Sequence, residues 1–121
     1  MLARLGMPVR RMARCASSIA TPAQIRQAVA ANATIIDLRG AAEFAEDPMV
    51  RGALHIEWDR DKETMADVPA ADTIVLYCRT GGRAGKAKAL LESRGFAGKI
   101  LNAGGPMDPE PWAALQEATK K

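Results

Sequence analysis

Short apolar runs alternate along the chain with stretches in which apolar residues recur at helical spacing. Four apolar runs are too short for helices, and two of them are rich in β-branched residues, which predicts strands at residues 34–38, 53–56, 73–77 and 99–103. The run at 73–77 is almost continuously apolar, as in a central strand of a parallel sheet that is buried on both faces. Residues 57–72 are charged and interrupted by Pro69, which indicates a surface loop with at most one short helix.

Caps and periodic apolar positions predict helices between these strands. Thr21, Pro22 and Gln24 match a capping box with proline at the first helical position, and the apolar face of this helix ends near Asn32. Further helices are predicted at residues 41–46, at 83–94 and from the Asp108-Pro109 pair onward. Strands that alternate with helices in this way predict an α/β fold with a mostly parallel central sheet and helices on both of its faces.

The basic residues are concentrated at the beginning of the chain. Its 121 residues fit one domain, for which we predict the bounds 21–121, preceded by a leader at 1–20. The leader contains four arginines and no acidic residue, a composition typical of an organelle transit peptide. We therefore expect a mitochondrial location, with a plastid or a cytoplasmic protein that has a disordered basic N-terminus as the alternatives. Cys15 lies in this leader and is treated as incidental.

Charge and cysteine content exclude several classes of protein. The net charge of +3 comes from the leader, because the rest of the chain has 13 basic residues against 14 acidic ones. A nearly neutral body gives no electrostatic argument for nucleic-acid binding. No apolar stretch approaches the roughly 20 residues of a membrane helix. Two cysteines and one histidine exclude a disulfide-rich scaffold and a structural zinc site, so we predict no metal and no membrane partner.

The segment 78–83, Cys-Arg-Thr-Gly-Gly-Arg, is the strongest candidate for a functional site. It joins the end of the clearest strand to the start of the clearest helix, and open α/β sheets bind ligands at that place. Gly81 and Gly82 allow successive N–H groups to point inward as an anion-binding nest at the helix N-terminus. A thiol at the origin of such a loop should be present as the thiolate, which makes Cys78 the candidate nucleophile.

Three cations crowd the start of this predicted helix. Arg79, Arg83 and Lys86 lie where a helix dipole disfavours positive charge, which would be explained by a bound anion. The alternative is a solvated basic face beside a buried, inert cysteine. His55 lies on a predicted strand edge, where a structural or surface role is favoured over a catalytic pair with Cys78.

The body of the chain resembles a single-domain rhodanese over roughly residues 21–105. The pattern Cys-Arg-x-Gly-x-Arg of that family is matched completely by residues 78–83. Its Asp-x-Arg and following Glu are matched by Asp37, Arg39 and Glu43, and its Gly-Gly pair by residues 104–105. The element around Gly52-Ala53 lacks the His and Pro of the family. The resemblance implies a rhodanese-like three-layer sandwich.

The resemblance also implies an enzyme, a sulfurtransferase of the thiosulfate sulfurtransferase type. Cys78 would carry a persulfide formed from a small anionic sulfur donor, and a thiol or cyanide would accept the sulfur. Substrate binding would fall to Arg79, Thr80, Gly81, Gly82 and Arg83. Asp37, Arg39 and Glu43 would support the loop, and no cofactor is implied.

Two alternatives remain open from the sequence. Tyrosine phosphatases and the arsenate reductases built on this fold place five residues between the Cys and the Arg, whereas four separate Cys78 from Arg83. The shorter loop favours a sulfane sulfur over a phosphate or arsenate tetrahedron. A noncatalytic persulfide carrier or interaction module would keep the same cysteine without turnover.

Overall fold

A computed structural model of the protein describes residues 18–120, and the predicted leader at 1–20 lies almost wholly outside them. The helices are α1 (Pro22–Ala30), α2 (Gly82–Ser93) and α3 (Pro109–Thr119), with a 3₁₀ helix at Ala41–Ala45. The strands are β1 (Thr34–Asp37), β2 (Leu54–His55), β3 (Thr73–Tyr77) and β4 (Lys99–Asn102). Each predicted element is therefore present, and β3 has the predicted bounds.

The four strands form one parallel sheet in the order β2-β1-β3-β4. Because β3 lies between β1 and β4, its backbone is paired on both sides, which explains its unbroken apolar run. The carboxyl ends of all four strands lie at one edge of the sheet. Residues 38–40, 78–81 and 103–105, which follow β1, β3 and β4, are therefore brought together at that edge.

Side chains alternate between the two faces of the sheet, and each face has its own core. Val75 and Tyr77 pack with residues of α1 and α3, among them Trp112, on one face. Ile74 and Leu76 pack with α2 on the other. Helices cover both faces, so the predicted three-layer α/β fold is confirmed.

The loop at 57–72 contributes more to the core than its sequence predicts. It contains no helix, and its one ladder contact is an antiparallel bridge between Asp59 and Thr64. Trp58 and Met65 are nonetheless buried in the core under α2. The loop thus covers the part of this face that α2 leaves open.

The ends of the helices agree only in part with the predicted caps. Thr21 and Gln24 form the predicted capping box, with hydrogen bonds of 2.9 and 3.1 Å between side chain and backbone. Asp108 occupies the N-cap position of α3, but its side chain makes no capping hydrogen bond. Within residues 18–120, no helix combines the length and the apolar character that a bilayer crossing requires.

Candidate active site

Cys78 follows the last residue of β3 and lies at the floor of the loop that leads into α2. The residue is only 1% exposed and packs among the apolar side chains on the α2 face of the sheet. Its backbone N–H donates a 2.8 Å hydrogen bond to the carbonyl oxygen of Gly104, which follows β4. This bond fixes the start of the loop against the neighbouring strand end.

One backbone amide of the loop points at the sulfur. The N–H of Gly81 donates to Cys78 Sγ at 3.1 Å. Gly81 adopts φ +92, in the left-handed region that favours glycine, and a Cβ on it would lie 2.5 Å from Cδ1 of Ile19. The loop therefore needs glycine here for its conformation.

The start of α2 supplies further donors beside the cysteine. Gly81 is the N-cap residue, so the N–H groups of Gly82, Arg83 and Ala84 cannot be paired within the helix. They lie at the positive end of the helix dipole, which favours an anion at this position. Arg79, Thr80 and Gly82 are exposed on the same loop. The arrangement places one amide donor on a buried sulfur atom and further donors along the start of α2.

Arg83 is held by a carboxylate from a distant part of the chain. Its two terminal nitrogens donate to the two carboxylate oxygens of Glu43, at 2.9 and 3.0 Å. The side chains are 14% and 22% exposed. Glu43 also accepts from the N–H of Gly40 at 3.0 Å. Hydrogen bonds from Arg83 lower the pKa of Glu43 to about 2, and the same bonds raise the pKa of Arg83.

The other two cations of the α2 N-terminus also have carboxylate neighbours. Lys86 Nζ lies 3.0 Å from Glu63, and Arg79 lies 3.7 Å from Glu46, both at exposed positions. The carboxylates of Glu43, Glu46 and Glu63 therefore face the three cations whose crowding was expected to indicate a bound anion. These carboxylates offset the positive charge at the start of α2.

Asp37 and Arg39 form a buried ion pair under the loop that follows β1. Arg39 is 1% exposed and donates to both carboxylate oxygens of Asp37, with distances from 2.8 to 3.2 Å. Its guanidinium lies 5.2 Å from the ring centre of Phe44, and the Nε2–H of His55 donates to its carbonyl oxygen at 2.6 Å. Arg39 therefore pairs with Asp37, whereas Glu43 pairs with Arg83.

Sequence reasoning missed Asn102, the last residue of β4. Its side-chain NH₂ donates to the carbonyl oxygen of Gly81 at 3.0 Å, and its Oδ1 accepts from the N–H of Gly104 at 2.9 Å. A polar residue at the carboxyl end of a strand, next to a Gly-Gly pair, is the signal that could have found it. A Cβ on Gly105 would overlap the carbonyl oxygens of Cys78 and Arg79, so only glycine fits there.

A cleft of about 430 Å³ opens beside the loop. Four of its lining side chains are cationic, and the wall includes an aromatic residue that sequence analysis assigned to a surface loop. The lining residues are Trp58, Arg60, Arg79, Thr80, Gly82, Arg83 and Lys86. Three of these cations, Arg79, Arg83 and Lys86, are the ones paired with carboxylates. Among residues 18–120, no group of three or more Asp, Glu, His and Cys side chains could hold a metal ion.

The sequence of this chain is similar to a known domain family and to several curated proteins. The profile of the rhodanese-like domain family matches residues 21–106. A sulfurtransferase of Allochromatium vinosum is 34% identical over 68 residues, which cover 56% of this chain and 62% of that protein. The thiosulfate sulfurtransferase PspE of Escherichia coli is 36% identical over 75 residues, which cover 60% of this chain and 70% of PspE.

A solved structure supports the fold independently of these relatives. Reduced CoADR-RHD of Bacillus anthracis superimposes with a TM-score of 0.62 over 91% of this chain and 19% of that one, at 20% sequence identity. At that identity the likeness concerns the architecture alone.

The relatives also correct one expectation from the sequence. The two relatives named above come from bacteria, which have no mitochondria, so the predicted mitochondrial location is wrong. The arginine-rich composition of residues 1–17 gave rise to that prediction, and these residues lie outside the described part of the chain. The relatives give no support to a transit peptide or to the plastid alternative.

Proposed function

Because the chain belongs to the rhodanese-like domain family, we propose that it is a sulfurtransferase that works through a persulfide on Cys78. The donor is thiosulfate or a related small anion with a sulfane sulfur, and the acceptor is a thiol or cyanide. The names of two relatives support sulfur transfer, and one of them is a thiosulfate sulfurtransferase. The observation that carries the proposal is the 3.1 Å hydrogen bond that the Gly81 N–H donates to Cys78 Sγ.

The first step is an attack of the Cys78 thiolate on the outer sulfur of thiosulfate. A new S–S bond forms between Cys78 and the outer sulfur as the S–S bond of thiosulfate breaks. The electron pair of the broken bond leaves with sulfite. The three negative charges of the reactants reappear as one on the persulfide and two on sulfite. No redox partner or cofactor is needed, because the sulfane sulfur is passed on without net electron transfer.

Backbone donors stabilise the charge that the persulfide carries. The negative terminal sulfur benefits from N–H groups at the start of α2 and from the positive end of its dipole. These donors are fixed before substrate arrives, because Gly81 and its neighbours are held by hydrogen bonds to β4 and to the first turn of α2. Preorganised donors cost no reorganisation during the reaction.

The second step returns the enzyme to its starting state. A thiolate or cyanide attacks the terminal sulfur of the persulfide, the S–S bond to Cys78 breaks, and its electron pair restores the thiolate. The products are a low-molecular-weight persulfide or thiocyanate. Arg79 and Thr80 are exposed at the edge of the cleft beside the loop, where they can contact an anionic donor.

Glu43 and the pair of Asp37 and Arg39 support the loop that contains Cys78. Glu43 holds Arg83, in the first turn of α2, through two hydrogen bonds. The buried pair of Asp37 and Arg39 stiffens the adjacent loop after β1. Arg83 in this pose braces the loop and contributes positive charge, while Arg79 is the more exposed cation for contact with a donor.

Intact mass tests the proposal directly. Incubation with thiosulfate should add the mass of one sulfur atom to the protein, and cyanide should remove it with release of thiocyanate. The Cys78→Ser variant should gain no sulfur and transfer none, with an unchanged unfolding temperature. The Cys15→Ser variant is the matched control and should behave as the parent protein does.

The outcomes separate the alternatives. Sulfur loading with repeated turnover supports the enzyme, and loading without turnover identifies a carrier. Hydrolysis of an aryl phosphate or reduction of arsenate, with no sulfur gained from thiosulfate, would overturn the proposal. Sulfur transfer that survives in Cys78→Ser would refute the nucleophile.

A further inference from the structure

We infer that Asn102 is a positioning residue for the Cys78 thiolate. Four hydrogen bonds form a closed circuit between the two: Cys78 N–H to the Gly104 carbonyl, Gly104 N–H to Asn102 Oδ1, Asn102 NH₂ to the Gly81 carbonyl, and Gly81 N–H to Cys78 Sγ. Their lengths run from 2.8 to 3.1 Å. Asn102 is the only side chain in this circuit besides the cysteine itself.

The chemistry of the circuit selects a carboxamide at position 102. One partner of the side chain is an N–H group and the other is a carbonyl oxygen, so the residue must accept at one atom and donate at the other. Asn102 is 1% exposed, and loss of either bond would leave a backbone polar group buried without that partner. A carboxylate of the same shape could accept from Gly104 but could not donate to Gly81.

The position of Gly81 depends on this side chain. Its carbonyl oxygen accepts from Asn102 and from the N–H of Gly85 at 2.9 Å, so the peptide is held both from β4 and from α2. A trans peptide directs its N–H opposite to its C=O, and the direction of the Gly82 N–H is fixed by the same pair of bonds. Asn102 therefore fixes the peptide that directly follows the Gly81 N–H, the amide that donates to Cys78 Sγ.

The other charged groups near the loop remain unchanged when Asn102 is replaced. They are Asp37, Arg39, Glu43, Arg79, Arg83 and Asp108. A change in the ionisation of the thiol in Asn102→Ala, which adds no charge, then reports on the circuit. This inference extends the proposed function, but its first measurement is thiol chemistry and does not require sulfur transfer.

The test is the rate of alkylation of Cys78 by iodoacetamide as a function of pH, in a Cys15→Ser background. Asn102→Asp keeps the shape, loses the donor to Gly81 and adds a negative charge, so the pH of half-maximal rate should rise by about one unit. Sulfur transfer near neutral pH should then fall about tenfold with it. Asn102→Ala removes both bonds without adding charge and should shift the profile in the same direction by less.

Thr119→Val is the matched control for stability. Thr119 is a buried polar residue whose hydroxyl bonds only to the carbonyl groups of its own helix, far along the chain from the loop. The Thr119→Val substitution should lower the unfolding temperature and leave the pH profile of Cys78 alkylation unchanged. If both Asn102 variants keep the parent profile, or if Thr119→Val shifts it equally, the inference fails. Parent protein that gains no sulfur from thiosulfate would overturn the proposed function and leave the alkylation result interpretable.

Discussion

Replacement of Glu43 by glutamine should destabilise the protein in a way that depends on pH. The two hydrogen bonds from Arg83 lower the pKa of Glu43 from 4.5 to about 2. A pKa difference of that size corresponds to about 3 kcal/mol in favour of the ionised carboxylate. Because the side chain is 22% exposed, water screens part of this energy. We expect Glu43→Gln to lower the free energy of unfolding by about 1–2 kcal/mol at pH 7.

The sign of the pH dependence follows from the lowered pKa in the folded protein. The unfolded chain binds a proton at Glu43 more readily than the folded chain, so this contribution to stability is fully present above about pH 5. It is lost as the pH falls toward 2, where the folded protein also takes up the proton. Glutamine has no such equilibrium. The difference between the two proteins should therefore fall by more than half between pH 7 and about pH 3.

Urea unfolding at several pH values measures this difference. A loss of 1–2 kcal/mol corresponds to a fall of about 1 M in the urea midpoint. Glu46→Gln is the matched control, because Glu46 is 69% exposed and lies 3.7 Å from Arg79, and it should cost at most about 0.5 kcal/mol at any pH. A difference between parent and Glu43→Gln that is the same at pH 3 and pH 7 would refute the ionic origin of the stabilisation.

Three further substitutions test the supports of the loop and of the first helix. Gly105→Ala places a Cβ against backbone carbonyl oxygens of the loop and should lower the free energy of unfolding by about 3 kcal/mol, measured by urea titration. Arg39→Met leaves the buried Asp37 carboxylate without its partner and should cost about 3–5 kcal/mol, whereas a change below about 1 kcal/mol would contradict the buried pair. Thr21→Ala removes one bond of the capping box and should cost about 1 kcal/mol, with no effect on the reactivity of Cys78.

The sequence predicted the elements with strong local signals. The strand at Thr73–Tyr77 is apolar throughout, and the helix at Pro22–Ala30 begins with a complete capping box, so neighbouring residues alone identify both. The strand predicted at residues 53–56 is also present, but β2 contains only Leu54–His55, and both residues are exposed. Such a short edge strand has little pattern of its own and is defined by its pairing with β1.

The partners of the supporting residues could not be predicted because they lie in distant parts of the chain. Glu43 and Arg83 are 40 positions apart, and Asn102 meets Gly81 from 21 positions away. Charge and polarity mark these residues as candidates, but only the parallel pairing of β1, β3 and β4 brings them to one edge. Trp58 was missed for the same reason, since a loop residue without periodicity is buried by the helix above it.

The contacts of Ile19 and Ala20 bear on where the independently folding unit begins. Ile19 touches Gly81 in the loop, and the N–H of Ala20 donates to the backbone carbonyl of Asn102 at 2.7 Å. At the other end, Trp112 packs against Tyr77 beyond the last residue of the family match. Recombinant protein trimmed to residues 21–106 would therefore lose residues that pack against its loop and its core. Assays of that fragment would underestimate the stability and the activity of the longer chain.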